Sequence, residues 1–444
     1  MSKIMLSDII QERLKKRRTN YYPAKTKRTC LIGRILGNFE ELLKKQKSFW
    51  VAGRLIGLRV QGGLMFWDIQ DATGKIQVVA KQDNLKNFSE LKDNVDIGDF
   101  IETSGILFVT NRGEKSVEAK RARIIVKSIR PLPSVWHGLK DVEERFRKRY
   151  LDFLLNPQVK ENIIQRLKII ESIRGALRKE GFLEVETPIL QAVPGGAMAR
   201  PFITHHNALD VDFYLRVAPE LYLKRLLVGG FEKIFEIGRN FRNEGIDRDH
   251  NPEFTMLELY WAYQDYRGLM KFVQKLLKKW IPGEWETTTF KEVVKKISDK
   301  DCGEIDSSQL DDFFKKEIRP KITKPTFVIE YPETIMPLAK LKEKEPSLTE
   351  SFQLIVNGVE IVKGFSELND PVVQRSQMEK QEKEFRAGKE EASRLDEDFL
   401  EAMEYGMPPA AGLGLGIDRL AALVTGAHSI KEIIAFPTLK PKQE

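Results

Sequence analysis

Two hydrophobic rhythms run along this chain, and the change from one to the other divides it. From Ser48 to Ile129 apolar residues recur at every second position in five short runs, FWVAGRLIGLRV, LMFWDIQD, GKIQVVA, DFIETSGILFVT and KSVEAKRARIIVKSI. A period of two predicts strands with one buried face. Gly62-Gly63, Thr73-Gly74 and Arg112-Gly113 fall between the runs as turns, and a helical stretch interrupts them near Leu85 to Val95. Ahead of the strands, Ile9, Ile10 and Leu14 form a narrow apolar stripe on a basic helix. Behind them, Arg130-Pro131-Leu132-Pro133 and the charged run DVEERFRKRYLD read as a linker.

From Pro157 the period lengthens. Ile163, Leu167, Ile170, Ile173 and Leu177 predict a helix over 157–180 that Gly181 stops. FLEVETPIL reads as a strand ended by Pro188. VPGGAMARPF is too rich in Gly and Pro to be regular, and its glycines would let backbone amides approach a ligand. FYLRVAPELYLKRLLVGG reads as a strand that breaks at Pro219 into a helix. Phe235 to Trp261 predicts two strands joined by a charged loop, followed by a helix to about Trp280. The segment to Lys324 carries little pattern. A strand begins at Thr326, and SFQLIVNGVEIVKGFSELND forms a hairpin around Asn357-Gly358. A long charged helix comes next, then the glycine-rich strand GLGLG, which enters an apolar helix with Arg419 at the junction. The expected class is α+β. The expected domains are a basic helical extension (1–45), a barrel (46–133), a linker (134–156) and a sheet flanked by helices (157–444).

Five strands with one helical interruption predict a small barrel of the OB type. Such barrels bind single-stranded nucleic acid by stacking bases on aromatics in a basic groove. Arg59, Phe66, Gln77 and Glu114 are placed on that surface, with an ordinary core position as the competing reading of Phe66. In Phe254 to Tyr260, parity puts Phe254, Met256, Glu258 and Tyr260 on one face and Thr255, Leu257 and Leu259 on the other. In the preceding arm it puts Arg242 and Glu244 on a common face. An arginine, an aromatic ring, a carboxylate and a phenol on one side of a sheet suit a phosphate, a purine and a cationic group. The loop between holds Arg248, Asp249 and His250.

Composition narrows the partners. The chain has 444 residues and a formal charge of +8, with nine Lys or Arg against two acids between Met1 and Cys30. Such a basic balance points to an acidic partner such as nucleic acid. Cys30 and Cys302 stand far apart with no second thiol near either, which excludes a disulfide scaffold or a CxxC metal site and suits the cytosol. No apolar run reaches membrane length and no signal peptide follows the basic N-terminus, so a soluble, cytoplasmic protein is expected. GLGLG lacks the Lys-Ser/Thr of a P-loop, and its alternating glycines fit a strand that allows close approach to the sheet surface.

FRNEG, HNPEFTMLELY, GFSELND and GLGLGIDR, together with GGAMARPFITHHNALD and RVAPELYLKRL, resemble the signature segments of the class II aminoacyl-tRNA synthetases, in particular the lysyl-tRNA synthetases. The matches run in order over nearly the whole chain. The resemblance implies an anticodon-binding OB domain, a catalytic antiparallel sheet flanked by helices, and a homodimer whose interface includes helix 157–180 and FLEVETP. It also implies activation of L-lysine with ATP and Mg2+ and transfer to tRNA(Lys). By residue it implies Arg242 bridging the α-phosphate and the lysine carboxylate, Glu244 on the adenine amino group, Phe254 stacked on the purine, and Arg419 over its other face or on the γ-phosphate. His250 would touch the outgoing phosphates. Glu220 and Gly195-Gly196 would take the α-ammonium, Tyr260 and Glu367 the ε-ammonium, Phe365 the aliphatic stem, and Glu258 would support the pocket.

Two positions depart from the family pattern. Gln353 stands where a Mg2+-binding glutamate is normal, beside the retained Glu360, and Lys363 stands where an asparagine near the substrate carboxylate is normal. The site is thereby more positive by two units. Strand parity places Gln353 with Glu360 on one face, and Lys363, Phe365 and Glu367 on the other unless a bulge at Gly364 turns them. Two further readings stay open: a class II paralogue that aminoacylates another acceptor, and a catalytically weakened tRNA-binding relative.

Overall fold

The computed structural model describes residues 6–133, 141–389, 391–392 and 394–441. It is an α+β protein of two compact units, Met1–Lys140 and Asp141–Glu444.

In the first unit the five alternating runs form β1 (Phe49–Gln61), β2 (Leu64–Gln70), β3 (Lys75–Lys81), β4 (Phe100–Val109) and β5 (Lys115–Val126), closed into a barrel in the order β1-β2-β3-β5-β4. Closure leaves no free sheet edge. The inward half of the alternation, including Val51, Leu55, Met65, Trp67, Ile69, Ile76 and Val78, fills the interior. A short helix, Phe88–Asn94, precedes β4. The basic N-terminal segment is no loose extension, because Ile32, Ile35 and Phe39 belong to the same core cluster. In its first helix, Leu6–Lys15, Leu14 is exposed and Arg13 is buried instead, donating from Nη1 to Ser128 O at 3.0 Å.

The second unit is built on an eight-stranded sheet. Its strands are β6 (Leu183–Glu184), β10 (Lys233–Phe241), β11 (Glu253–Ala262), β12 (Glu286–Thr289), β13 (Thr326–Ile329), β14 (Ser351–Val356), β15 (Val359–Ser366) and β16 (Ala410–Gly416). The spatial order is β12-β13-β14-β15-β16-β11-β10-β6, antiparallel except at its two edge pairs. Three more strands, β7 (Leu190–Gln191), β8 (Phe202–His206) and β9 (Val211–Leu215), make a small separate sheet. One large face is a core. Leu257 and Leu259 of β11, Leu413 and Leu415 of β16, and Phe352 and Leu354 of β14 pack there with helices Pro157–Lys179, Tyr266–Leu277 and Ile417–Thr425. Burying each leucine contributes about 1.5–3 kcal/mol, which fixes which way every strand faces.

Several expectations need correction. The run read as a linker folds into helices Val142–Arg147 and Arg149–Leu155, and Arg149 is buried against Asp152 at 2.6 Å; the rest of that stretch, 134–140, lies outside the described residues. FLEVETPIL forms only the two short strands β6 and β7. Leu167, read as part of a buried stripe, is 56% exposed, and Ile169 turns inward beside Ile173 and Leu177. Strand β10 ends at Phe241, so Arg242 and Glu244 lie in the loop and alternation does not govern them.

The hairpin corrects the parity argument itself. Ile355 opposes Glu360, but Leu354 opposes Val362, so Ile361 is an extra residue on β15. This bulge re-phases the strand three residues earlier than Gly364. Gln353 and Lys363 become direct cross-strand partners on one face.

Candidate active site

Register carries the open face of the sheet across five strands. One row runs Gln353, Lys363, Gly414, Glu258, Glu236. The next runs Ser351, Phe365, Gly412, Tyr260, Ile234. Glycine at 412 is a requirement of space, since a Cβ there would strike Glu367 and the Tyr260 ring, while one at Gly414 would meet the mobile end of Met256. Above these rows lies a cleft of about 630 Å³, a size that suits a small-molecule ligand.

The carboxylates gather toward one end. Glu220 opens the helix Glu220–Val228, and Gly196 holds its backbone at φ +87° against it, where a Cβ would meet the Glu220 side chain at 2.8 Å. Glu367 follows directly on β15, its amide donating to Ala410 O at 2.8 Å. Between the two acids sits Lys224, 1% exposed at its side chain, with Nζ 2.7 Å from Glu220 Oε1 and 2.6 Å from Glu367 Oε2. Lys224 was not among the residues singled out from the sequence. Burial works against its charge, but the two carboxylates outweigh burial and hold its pKa above the ordinary lysine value. Neither Glu367 oxygen has a well-aligned donor among the described residues. Burial pushes the Glu367 carboxyl up to about 8, against the pull of Lys224. Burial and Glu220 also push Glu258 well above the usual carboxylate range, while Tyr260 Oη donates to its Oε2 at 3.3 Å. Phe365 lies beside this end, 5.9 Å from Lys224 Nζ.

Cations line the same cleft. Arg242 lies over the Phe254 ring at 5.0 Å, and its Nε is buried without a hydrogen-bond partner among the described residues. Burial lowers its pKa. Arg419 donates to Glu360 O at 3.3 Å and lies 3.3 Å from His250 Nε2, while His250 Nδ1 is 2.8 Å from Asp247. The Arg419 junction is fixed by Asp418, which accepts from Thr255 N at 2.8 Å and from Arg166 Nε at 3.0 Å. Lys363 faces the same cleft, and burial lowers its pKa against the opposing pull of Glu360 and Asp311. Glu244 is exposed at the rim. Asp311, Lys315 and Arg319 also line the cleft. They come from the stretch whose sequence carried little pattern, although their i, i+4, i+8 spacing was a usable helical signal.

Residues 141–440 match the family model of the class II tRNA synthetases (D, K and N), and residues 49–129 match the OB-fold nucleic-acid-binding domain. The chain belongs to the class II tRNA synthetases. Among its relatives, the lysine–tRNA ligase of Pelotomaculum thermopropionicum is 45% identical over 95% of this chain and 92% of that protein. That of Moorella thermoacetica is 44% identical over 92% of each. The lysine–tRNA ligase of Aquifex aeolicus is 44% identical over 89% of this chain and 73% of its own length.

The Mg2+ that this synthetase family implies can be tested against the side chains present. Among the described residues no three His, Cys, Asp or Glu side chains converge to hold an ion. Glu360 offers one carboxylate to the cleft. Gln353 offers an amide oxygen that already accepts from Tyr331 Oη at 3.0 Å. This set fits an ion carried on nucleotide phosphates and shared with one carboxylate, and it builds no ion site from protein alone.

On the synthetase's barrel, Arg59 opposes Phe66, with its guanidinium 5.8 Å from the ring centroid. Phe66 is half-buried on the outward face, opposite in phase to the core residues Met65 and Trp67. Gln77 pairs with Asp68 on that face and accepts from Ser116 Oγ at 3.1 Å, and Ser116 Oγ also donates to Glu114 O at 3.2 Å. Arg59, Phe66 and Gln77 therefore share one outer face, and Glu114 is exposed in the turn before β5, tied to it through its main-chain oxygen. No helix among the described residues is long and apolar enough to cross a membrane.

Proposed function

We propose that this chain is a lysine–tRNA ligase. It joins L-lysine to ATP as lysyl-adenylate with release of diphosphate, then transfers the lysyl group to the 3′ end of tRNA(Lys) with release of AMP. One observation carries the reading within the class: a single cleft brings acids and cations together. Glu220, Glu258 and the Tyr260 phenol line it, with Glu367 buried just behind against Lys224, and so do Arg242, Arg419, Lys363 and His250. A dibasic amino acid and a polyphosphate laid end to end would match it.

Glu220 and the Gly196 turn receive the α-ammonium. Glu367 and Tyr260 receive the ε-ammonium, Phe365 lines the stem, and Glu258 braces Tyr260. A buried acid at the end of the hole rejects side chains without a terminal cation, because the charge would be left unpaired. Arg242, with its orphaned Nε, bridges the lysine carboxylate and the α-phosphate and neutralises charge that develops as the carboxylate oxygen attacks phosphorus. Phe254 stacks on the adenine, Glu244 accepts from its amino group, and Arg419 and His250 hold the outgoing diphosphate. Glu360, with Gln353 as a weak neighbour, would hold a Mg2+ arriving on the nucleotide, which would supply further charge neutralisation. On the barrel, Arg59, Phe66, Gln77 and Glu114 receive anticodon bases. A second copy of the chain covers the exposed apolar residues Leu167, Leu183, Ile189 and Leu190, giving a cytoplasmic homodimer.

The test is lysine-dependent exchange of labelled pyrophosphate into ATP across the twenty amino acids, followed by charging of transcribed tRNA(Lys). Exchange with lysine alone is the expected outcome. Exchange with another amino acid, or none at all, overturns the reading.

A further inference from the structure

Two acids near Lys363 lie beside other cations. Glu360 Oε1 lies 3.6 Å from Arg419 Nη1, and Asp311 Oδ2 lies 2.6 Å from Lys315 Nζ. Lys363 is different: among the described residues its ammonium has no ion pair and no hydrogen bond, although it sits on the central row of the sheet between Gln353 and Gly414. Lys363 is half-buried and opens onto the cleft, so a ligand anion bound there can meet this ammonium. The residue directly across from it is informative. Cross-strand partners stand about 5 Å apart at Cβ, close enough for an acid at position 353 to capture the ammonium. Position 353 instead holds a neutral amide, fixed by the Tyr331 hydroxyl at 3.0 Å. Gly414, on the other side, adds no side chain to obstruct the lysine.

We propose that Lys363 is a substrate-binding residue whose ammonium does the work of a second divalent ion. It contacts the anionic junction of lysine carboxylate and α-phosphate from the side opposite Arg242. Gln353 is a positioning residue that keeps this cation free by being uncharged. The inference rests on the adenylate-forming reading given above. It explains how a cleft with one available carboxylate and no protein-built ion site can neutralise a triphosphate and a carboxylate together.

The experiment first measures lysine-dependent exchange by the native enzyme; its absence would bring down the underlying reading rather than this inference. Manganese bound per active site is then counted by electron paramagnetic resonance, with a non-hydrolysable ATP analogue and lysine present. One ion is expected for the native enzyme, and two for Gln353→Glu with Lys363→Asn. The native enzyme should reach full exchange once Mg2+ equals ATP, whereas the double variant should need free Mg2+ in excess. Gln353→Glu alone should pair with Lys363 and reduce exchange about ten- to hundredfold, the range of a lost charge-assisted hydrogen bond. Adding Lys363→Asn should restore much of that loss, a non-additive result. Lys363→Met, which keeps length and packing, should lower kcat/KM for ATP by a similar factor, and it carries the test if the double variant does not fold by circular dichroism. Two ions on the native enzyme, equal counts for native and double variant, or a Lys363→Met change below threefold would overturn the assignment.

Discussion

Replacing Glu367 with glutamine should alter lysine recognition in a way that depends on pH. In the lysine-free fold burial holds the Glu367 carboxyl near pKa 8, against Lys224, so its ionised fraction is about 1% at pH 6 and about half at pH 8. The ε-ammonium of free lysine stays protonated over this range and must meet a carboxylate. The carboxyl's pKa is raised, so binding lysine expels its proton, and affinity rises with pH, by up to about 50-fold between pH 6 and 8, before levelling off. The groups facing Glu367 are Lys224 and Glu220 from one helix and Tyr260 from β11; burial keeps the Tyr260 phenol well above its usual pKa, so it stays protonated in this window. At pH 8 the amide forfeits a charge-assisted hydrogen bond, about 1.5–3 kcal/mol, or roughly 10- to 150-fold in affinity. At pH 6 native and variant should agree within a few fold. Titration calorimetry with lysine and no ATP reads this directly, and any contribution from His250 cancels because both proteins retain it. A variant-to-native ratio that stays constant from pH 6 to 8 would refute the assignment of the ε-ammonium to Glu367.

Three further outcomes are expected. Arg242→Ala should reduce lysine-dependent pyrophosphate exchange about 10²- to 10³-fold through kcat, the usual effect of removing a donor aimed at transition-state charge; a change confined to KM would contradict that role. Lys224→Met leaves Glu220 and Glu367 facing each other without a cation, so at pH 9, where Glu367 is ionised in the native fold, urea unfolding should show a loss of about 3–5 kcal/mol, partly restored by added lysine. An unchanged urea midpoint would show that the pair needs no internal cation. Phe66→Ala should weaken tRNA charging by roughly 1–3 kcal/mol per stacked base while leaving pyrophosphate exchange intact, and loss of both activities together would count against a role confined to base stacking.

What the sequence revealed followed from alternation, and what it hid followed from interruptions of alternation. Phe254, Met256, Glu258 and Tyr260 could be assigned to one face because β11 is regular from end to end. The hairpin could not, since an extra Ile361 leaves no mark in composition yet re-phases everything beyond it. Lys224 was overlooked because a lysine four residues after a glutamate usually marks a solvated helix face; only the arrival of Glu367 from a distant strand makes it internal. The same bias turned 141–155 into a linker, where Arg149 is in fact buried with Asp152 and donates to Glu432 O at 2.6 Å. Charged residues that find partners far along the chain look like solvent-facing ones until the fold brings the partners in.

The glycines of β16 bear on how far this enzyme could be re-aimed at other amino acids. At Gly412 the floor of the cleft is bare peptide, with Glu367 and Tyr260 resting where a side chain would begin. The end of the hole is therefore Glu367 and Tyr260 laid directly on main chain, so a substitution at 412 pushes both toward the ligand and makes the hole shallower. Longer lysine analogues can be accommodated only by trimming the walls, at Tyr260 or Phe365, whereas Gly412→Ala should favour shorter diamines such as ornithine over lysine if it folds. Selection experiments on this scaffold should thus find expanded specificity in the walls and contracted specificity in the floor.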